Sequence, residues 1–93
     1  MGVERHSARV TYIASIYWLQ GYSAPDMAII LNAWFSTHGY RRTTPDAIRS
    51  KMNRLWSRSK MTVGERADAI ADLRKDPKDG GFFKDKTDWR IKV

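Results

Sequence analysis

The chain has 93 residues, 42% hydrophobic and 12% aromatic, with no cysteine and a formal net charge of +7. That suffices for one small domain but not two, and the composition is globular rather than disordered. The lack of cysteine excludes a disulfide framework, a cysteine zinc ribbon and thiol chemistry, and no apolar run approaches the roughly 18 residues of a membrane span.

The first predicted helix covers Ala8 to Gln20, with Ser7 as N-cap and Gly21 as terminator. Val10, Ile13, Ile16, Tyr17 and Leu19 recur at helical spacing as its inner stripe. A second helix opens at Ser23, with Pro25 in its first turn and Asp26 placed to favour the helix dipole. Met27, Ile30, Leu31 and Trp34 mark its inner face, and Gly39 closes the segment. The third helix is marked best: Thr44 caps, Pro45 takes the first position and Asp46 follows. Ile48, Met52 and Leu55 form a narrow apolar seam, while Asp46, Ser50, Asn53 and Ser57 lie opposite with Arg49 and Arg54 on the flanks. A fourth helix begins at the capping-box spacing Thr62-Val63-Gly64-Glu65 and ends near Lys75, before Asp76-Pro77. Its apolar positions are Ala67, Ile70, Ala71 and Leu73. Beyond a turn at residues 78–81, Phe82, Phe83, Trp89, Ile91 and Val93 suggest extended chain packed back on the helices, or docking a partner or a second copy.

The positive charge is concentrated. Residues 41–60 hold Arg41, Arg42, Arg49, Lys51, Arg54, Arg58 and Lys60 against Asp46 alone, while the flanking stretches are close to neutral. Such a window is the electrostatic footprint of a polyanion binder, although a basic helix face also serves solubility. Two capped helices in succession, the second polar and basic on its free face, have the organisation of a helix-turn-helix unit. On that reading Arg49, Ser50 and Asn53 have the chemistry to read base edges, arginine pairing with guanine and asparagine with adenine. Arg41, Arg42, Lys51, Arg54, Arg58 and Lys60 suit phosphate contacts, which set affinity and register without reading sequence.

The stretch from Arg42 to Leu55, with Thr44-Pro45-Asp46-Ala47-Ile48-Arg49-Ser50-Lys51 at its centre, resembles the third-helix segment of Myb/SANT-like domains, especially single-domain fungal forms. The stretch from Gly21 to Ala28 resembles the entry to their second helix, and the likeness covers roughly residues 7–58. It implies a homeodomain-like three-helix fold, with base-reading roles falling on Arg49, Ser50 and Asn53. SANT relatives also bind histone tails or serve as interaction modules, so a chromatin partner remains an open alternative.

Other motifs carry little chemistry. His6 and His38 are far apart and have no cysteine companion, so no metal or cofactor is expected. Ser57-Arg58-Ser59-Lys60 matches a Ser-x-x-Lys spacing without the other motifs of that enzyme class, and Asp68, Asp72 and Asp76 read as a solvated acidic ridge. No phosphate-cradling glycine loop is present, and an enzyme is not expected. Trp18 and Trp34 are expected in the core, and Trp56 under the fourth helix.

The expectation is therefore an all-α chain: a three-helix helix-turn-helix core over residues 1–60, with a short fourth helix and an extended aromatic tail over 61–93 packed on the same domain. Its expected partner is double-stranded DNA, with Phe82, Phe83 and Trp89 as candidate partner-binding residues. The polar N-terminus lacks a signal-peptide pattern. The chain is thus expected to be soluble and intracellular, a monomer or weak homodimer acting in the nucleus, or in the nucleoid or cytoplasm of a bacterium or phage.

Overall fold

Among the described residues, the computed structural model has four α-helices: α1 (Gly2–Leu19), α2 (Ala24–Thr37), α3 (Pro45–Leu55) and α4 (Val63–Arg74), with a 3-10 turn at Arg58–Lys60 before α4. The structure describes residues 2–75, with side chains from Arg9 onward; Phe82, Phe83, Trp89 and the expected turn at 78–81 lie outside the described residues. Among the described residues the chain is all-α, and none of its helices is long and apolar enough to cross a membrane.

Helix α1 starts at Gly2 rather than at Ala8, so Ser7 lies inside the helix instead of capping it. The sequence from Gly2 to Ser7 contains no proline, and nothing in its backbone chemistry stops the helix there. The later N-termini follow the expected chemistry. Ser23 accepts from the Asp26 amide at 3.2 Å and Thr44 from the Ala47 amide at 3.1 Å. Thr62 and Glu65 form a complete capping box: the Glu65 amide donates to Thr62 Oγ1 and the Thr62 amide donates to Glu65 Oε1.

The first two helices end in the same way. Gly21 (φ +100°) and Gly39 (φ +73°) adopt left-handed conformations that glycine reaches without Cβ strain. The amide after each glycine then reaches back five residues, Tyr22 to the Tyr17 carbonyl and Tyr40 to the Phe35 carbonyl. An aromatic pair covers each turn, Tyr17 with Tyr22 at 4.8 Å and Phe35 with Tyr40 at 5.5 Å between ring centroids. This is the Schellman arrangement with its accompanying hydrophobic contact.

The core is divided by α1. On one side Val10, Ala14 and Trp18 meet Met27, Ala28, Leu31 and Phe35 of α2, Tyr40, and Ile48 and Met52 of α3. On the other side Leu19, with Tyr12 and Ile16 around it, meets Leu73, Ile70 and Ala69 of α4, along with Met61. Leu55 and Trp56 touch both clusters. Of the stripe expected for α1, Val10 and Leu19 are buried, but its other members are not. Ile13, Ile16 and Tyr17 are only half-buried, whereas Thr11, Ala14 and Ser15 are wholly enclosed. A helix packed on two sides keeps small residues where its neighbours approach closest, and here Val10, Trp18 and Leu19 fill the cores while Ile13, Ile16 and Tyr17 lie at their margins. The α4 face also shifts: Ala67 and Ala71 are exposed, and Ala69, Ile70 and Leu73 pack inward.

Two polar clamps lock these helices. The Trp18 indole Nε1 donates to the Trp56 carbonyl at 3.0 Å, and the Trp56 Nε1 donates to Ser15 Oγ at 2.9 Å. Asn32, buried on α2, spans the peptide of Thr43: its Nδ2 donates to the Thr43 carbonyl at 3.1 Å and its Oδ1 accepts from the Thr43 amide at 2.7 Å. Replacing Asn32 with alanine removes both bonds and leaves a partly buried peptide unpaired. Urea denaturation should show a loss of about 1–3 kcal/mol for Asn32→Ala. Asn32→Asp, which lacks the donor and sets a carboxylate against a carbonyl, should be at least as destabilised.

Candidate nucleic-acid interface

The Asn32 clamp fixes the chain one residue before Thr44, the N-cap of α3, so a buried amide on α2 determines where α3 begins. Ile48 and Met52 are wholly buried and Leu55 is half-buried, which turns the opposite side of α3 to solvent. At about 100° per residue, Asp46, Arg49, Ser50, Asn53 and Arg54 occupy one continuous arc. All five are exposed.

The remaining basic residues separate into three groups. Arg41 and Arg42 are exposed in the extended connection entering α3, and Lys60 is exposed beyond its far end. The eleven-residue helix is about 16 Å long, and these cations lie before its start and after its end in the chain. Lys51 is half-buried and already engaged. Asp46 carries the acidic charge of this window, and its Oδ1 lies 2.7 Å from Arg49 Nη1.

Arg58 departs from the expectation of an outward phosphate ligand. Its Nη1 donates to the carbonyls of Trp18 and Tyr22, both at 2.7 Å, and its guanidinium carbon lies 3.8 Å from the centroid of a Trp18 ring. Those carbonyls belong to the end of α1 and the turn after it, where acceptors lack helical partners and the dipole favours a cation. Burial, and secondarily the nearby Arg66 charge, push the Arg58 guanidinium below its ordinary pKa. Arg58 thus joins the segment after α3 to the end of α1.

His38, the C-cap of α2, stacks on Trp34 with centroids 3.8 Å apart. Its Nδ1 lies 2.9 Å from the Trp34 carbonyl and 2.9 Å from the Thr37 hydroxyl, which itself donates to that carbonyl. Trp34 is half-buried at the margin of the main cluster. A groove of about 100 Å³ opens between α1 and α2, lined by Arg9, Ile13, Tyr17, Ile30 and Trp34 among others.

The α3 arc brings together Arg49, Ser50 and Asn53, with Arg54 beside them, while Arg58 has been drawn into the fold. Comparison with protein-family models, curated proteins and solved structures returns no match. Sequence reasoning passed over Asn32 and Ser15, whose signal was a polar residue within an apolar helical stretch. It also passed over Tyr22 and Tyr40, whose signal was the repeated Gly-Tyr pair after two helices.

The contrast among the basic residues is measurable. Arg58→Ala should lower stability in urea by about 2–3 kcal/mol, since it removes charge-assisted hydrogen bonds and a cation–π contact. Arg58→Lys should restore only part of this, because an ammonium lacks the planar fork. Arg54→Ala and Lys60→Ala should stay within about 0.5 kcal/mol of the parent protein.

Proposed function

We propose that this chain is a sequence-preferring, double-stranded DNA-binding domain of a transcription or chromatin regulator, a Myb/SANT-like helix-turn-helix unit whose α3 enters the major groove. The observation that carries this reading is the exposed α3 arc bearing Arg49, Ser50 and Asn53, with exposed Arg41, Arg42, Arg54 and Lys60 around it. Arginine and asparagine pair with guanine and adenine edges through two hydrogen bonds each, and serine accommodates either base. The surrounding cations hold phosphates on both sides of the groove and set the register in which α3 reads.

Salt dependence tests the binding. Phosphate contacts from Arg41, Arg42, Arg54 and Lys60 should give a log–log slope of about −3.6, each neutralised phosphate adding about −0.9. Failure to bind duplex at low salt, or a slope flatter than about −1, removes the DNA reading. Base reading is tested separately. Asn53→Ala should cost about 1–3 kcal/mol on a selected site and little on random duplex, whereas Arg42→Ala should weaken both alike.

The groove between α1 and α2 favours a second reading, an interaction module of a chromatin complex that binds a histone tail or another protein without base readout. Ile29 stands 71% exposed on α2 near the Ile30 that lines the groove. A low-salt null result with duplex, together with saturable binding of a histone-tail peptide that Ile30→Glu abolishes, would establish that reading instead.

A further inference from the structure

Asp46 occupies an unfavourable place for a polyanion-binding surface. It is the acidic residue of the 41–60 window, it stands in the first turn of α3, and its side chain is 95% exposed within the arc assigned to the bases. A favourable interaction with the helix dipole accounts for an acid at this position but not for its engagement with Arg49. Arg49 Nη1 donates to Asp46 Oδ1 at 2.7 Å, and the Arg49 side chain remains 49% exposed. In water such an i,i+3 pair contributes little stability, because both groups are well solvated. Its geometric effect is larger. It takes up one end of a guanidinium that otherwise samples many rotamers, and leaves the Nε–Nη2 edge for another acceptor pair.

We propose that Asp46 is a specificity-determining residue that holds Arg49 in position for two-bond recognition of a guanine. This inference rests on the DNA-binding reading above. The Nε–Nη2 edge of Arg49 donates to guanine O6 and N7, the arrangement that a planar fork satisfies best. The Asp46 carboxylate retains lone pairs and accepts from the exocyclic amino group of a neighbouring base, cytosine N4 or adenine N6. A neighbour presenting an oxygen there, thymine O4 or guanine O6, faces a carboxylate and is rejected. Displacing water from the groove strengthens both the Asp46–Arg49 pair and its contacts with bases. Asp46 thus lowers affinity for phosphate-rich surroundings in general while raising discrimination at two adjacent base pairs.

The experiment measures binding of the whole chain, its Asp46→Ala, Asp46→Glu and Arg49→Ala variants, and the double variant. The probes are a duplex selected from a random pool, its single-base-pair variants and a random duplex, with circular dichroism melting to check the fold. The parent protein should prefer one guanine by about tenfold over other bases. Asp46→Ala should reduce that preference to about two- to threefold while binding random duplex more tightly, since a negative charge has gone. Arg49→Ala should lose the same preference, and adding Asp46→Ala to it should reduce that preference no further. Asp46→Glu keeps the charge at the start of the helix but moves the carboxylate by one methylene, so its melting temperature should match the parent's while only part of the discrimination is recovered, a split that helix-dipole stabilisation alone does not produce.

Unchanged base preference in Asp46→Ala, with uniformly higher affinity, overturns the proposal and leaves Asp46 as a simple repulsive charge. A parent protein that binds all duplexes equally also overturns it while sparing DNA binding itself. A parent protein that binds no duplex at low salt removes the DNA reading and this inference together.

Discussion

Two tryptophans exchange hydrogen-bonding roles across the middle of the fold, and the placement of α3 depends on that exchange. Trp18 donates to the Trp56 carbonyl, and Trp56 donates to Ser15, one turn back along α1. An indole has one donor and no acceptor, so burying its ring requires a partner for the N–H. Here each ring finds that partner on the other's segment or helix. Arg58 then lies over Trp18 and ties off the carbonyls at the end of α1. Removing the Ser15 hydroxyl takes that acceptor from the Trp56 indole N–H in a partly buried place, where an unmet hydrogen bond costs more than a made one contributes.

Both ends of α3 are positioned by contacts with the helices before it. At its start, Asn32 holds the Thr43 peptide and Thr44 caps; at its end, the backbone at Trp56 is held by Trp18. Between them Ile48 and Met52 fill the core without residual exposure. A helix fixed at both termini and along its seam has its outward arc determined as well. On the DNA-binding reading proposed above, side chains on such a scaffold would need little rearrangement, which would limit the entropy lost on binding.

The helices after α1 were legible because their termini carry strong local chemistry: Thr44-Pro45-Asp46, Ser23 with Pro25, and the Thr62–Glu65 box. The α3 seam was legible for a related reason, since one face packs and the other does not. Helix α1 was harder to read. It packs on two sides, so Thr11, Ser15 and Ala14 are enclosed while the larger Ile13 and Ile16 stay at the margins, and apolar periodicity points to the wrong centre. The candidate site was partly readable, because exposure of Arg49, Ser50 and Asn53 follows from helical geometry alone. The role of Arg58 was not, since its acceptors are carbonyls of Trp18 and Tyr22, some forty residues earlier in the chain. A basic window looks uniform in sequence; tertiary contacts decide which of its cations are retained by the fold.

The kind of acceptor Arg58 uses has a consequence for how the molecule meets changing ionic conditions. Arg58 donates to neutral peptide oxygens and lies over a π face, and the tryptophan and asparagine clamps are uncharged at both ends. Mobile ions screen attraction between opposite formal charges far more than bonds of this kind. The exposed cations around α3, by contrast, interact with any polyanion through the forces that salt weakens. Ionic strength therefore acts on the outside of this protein and little on its interior. Rising salt that would release the polyanion of the proposed DNA-binding reading would thus leave these internal contacts in place, so that rebinding would need no refolding.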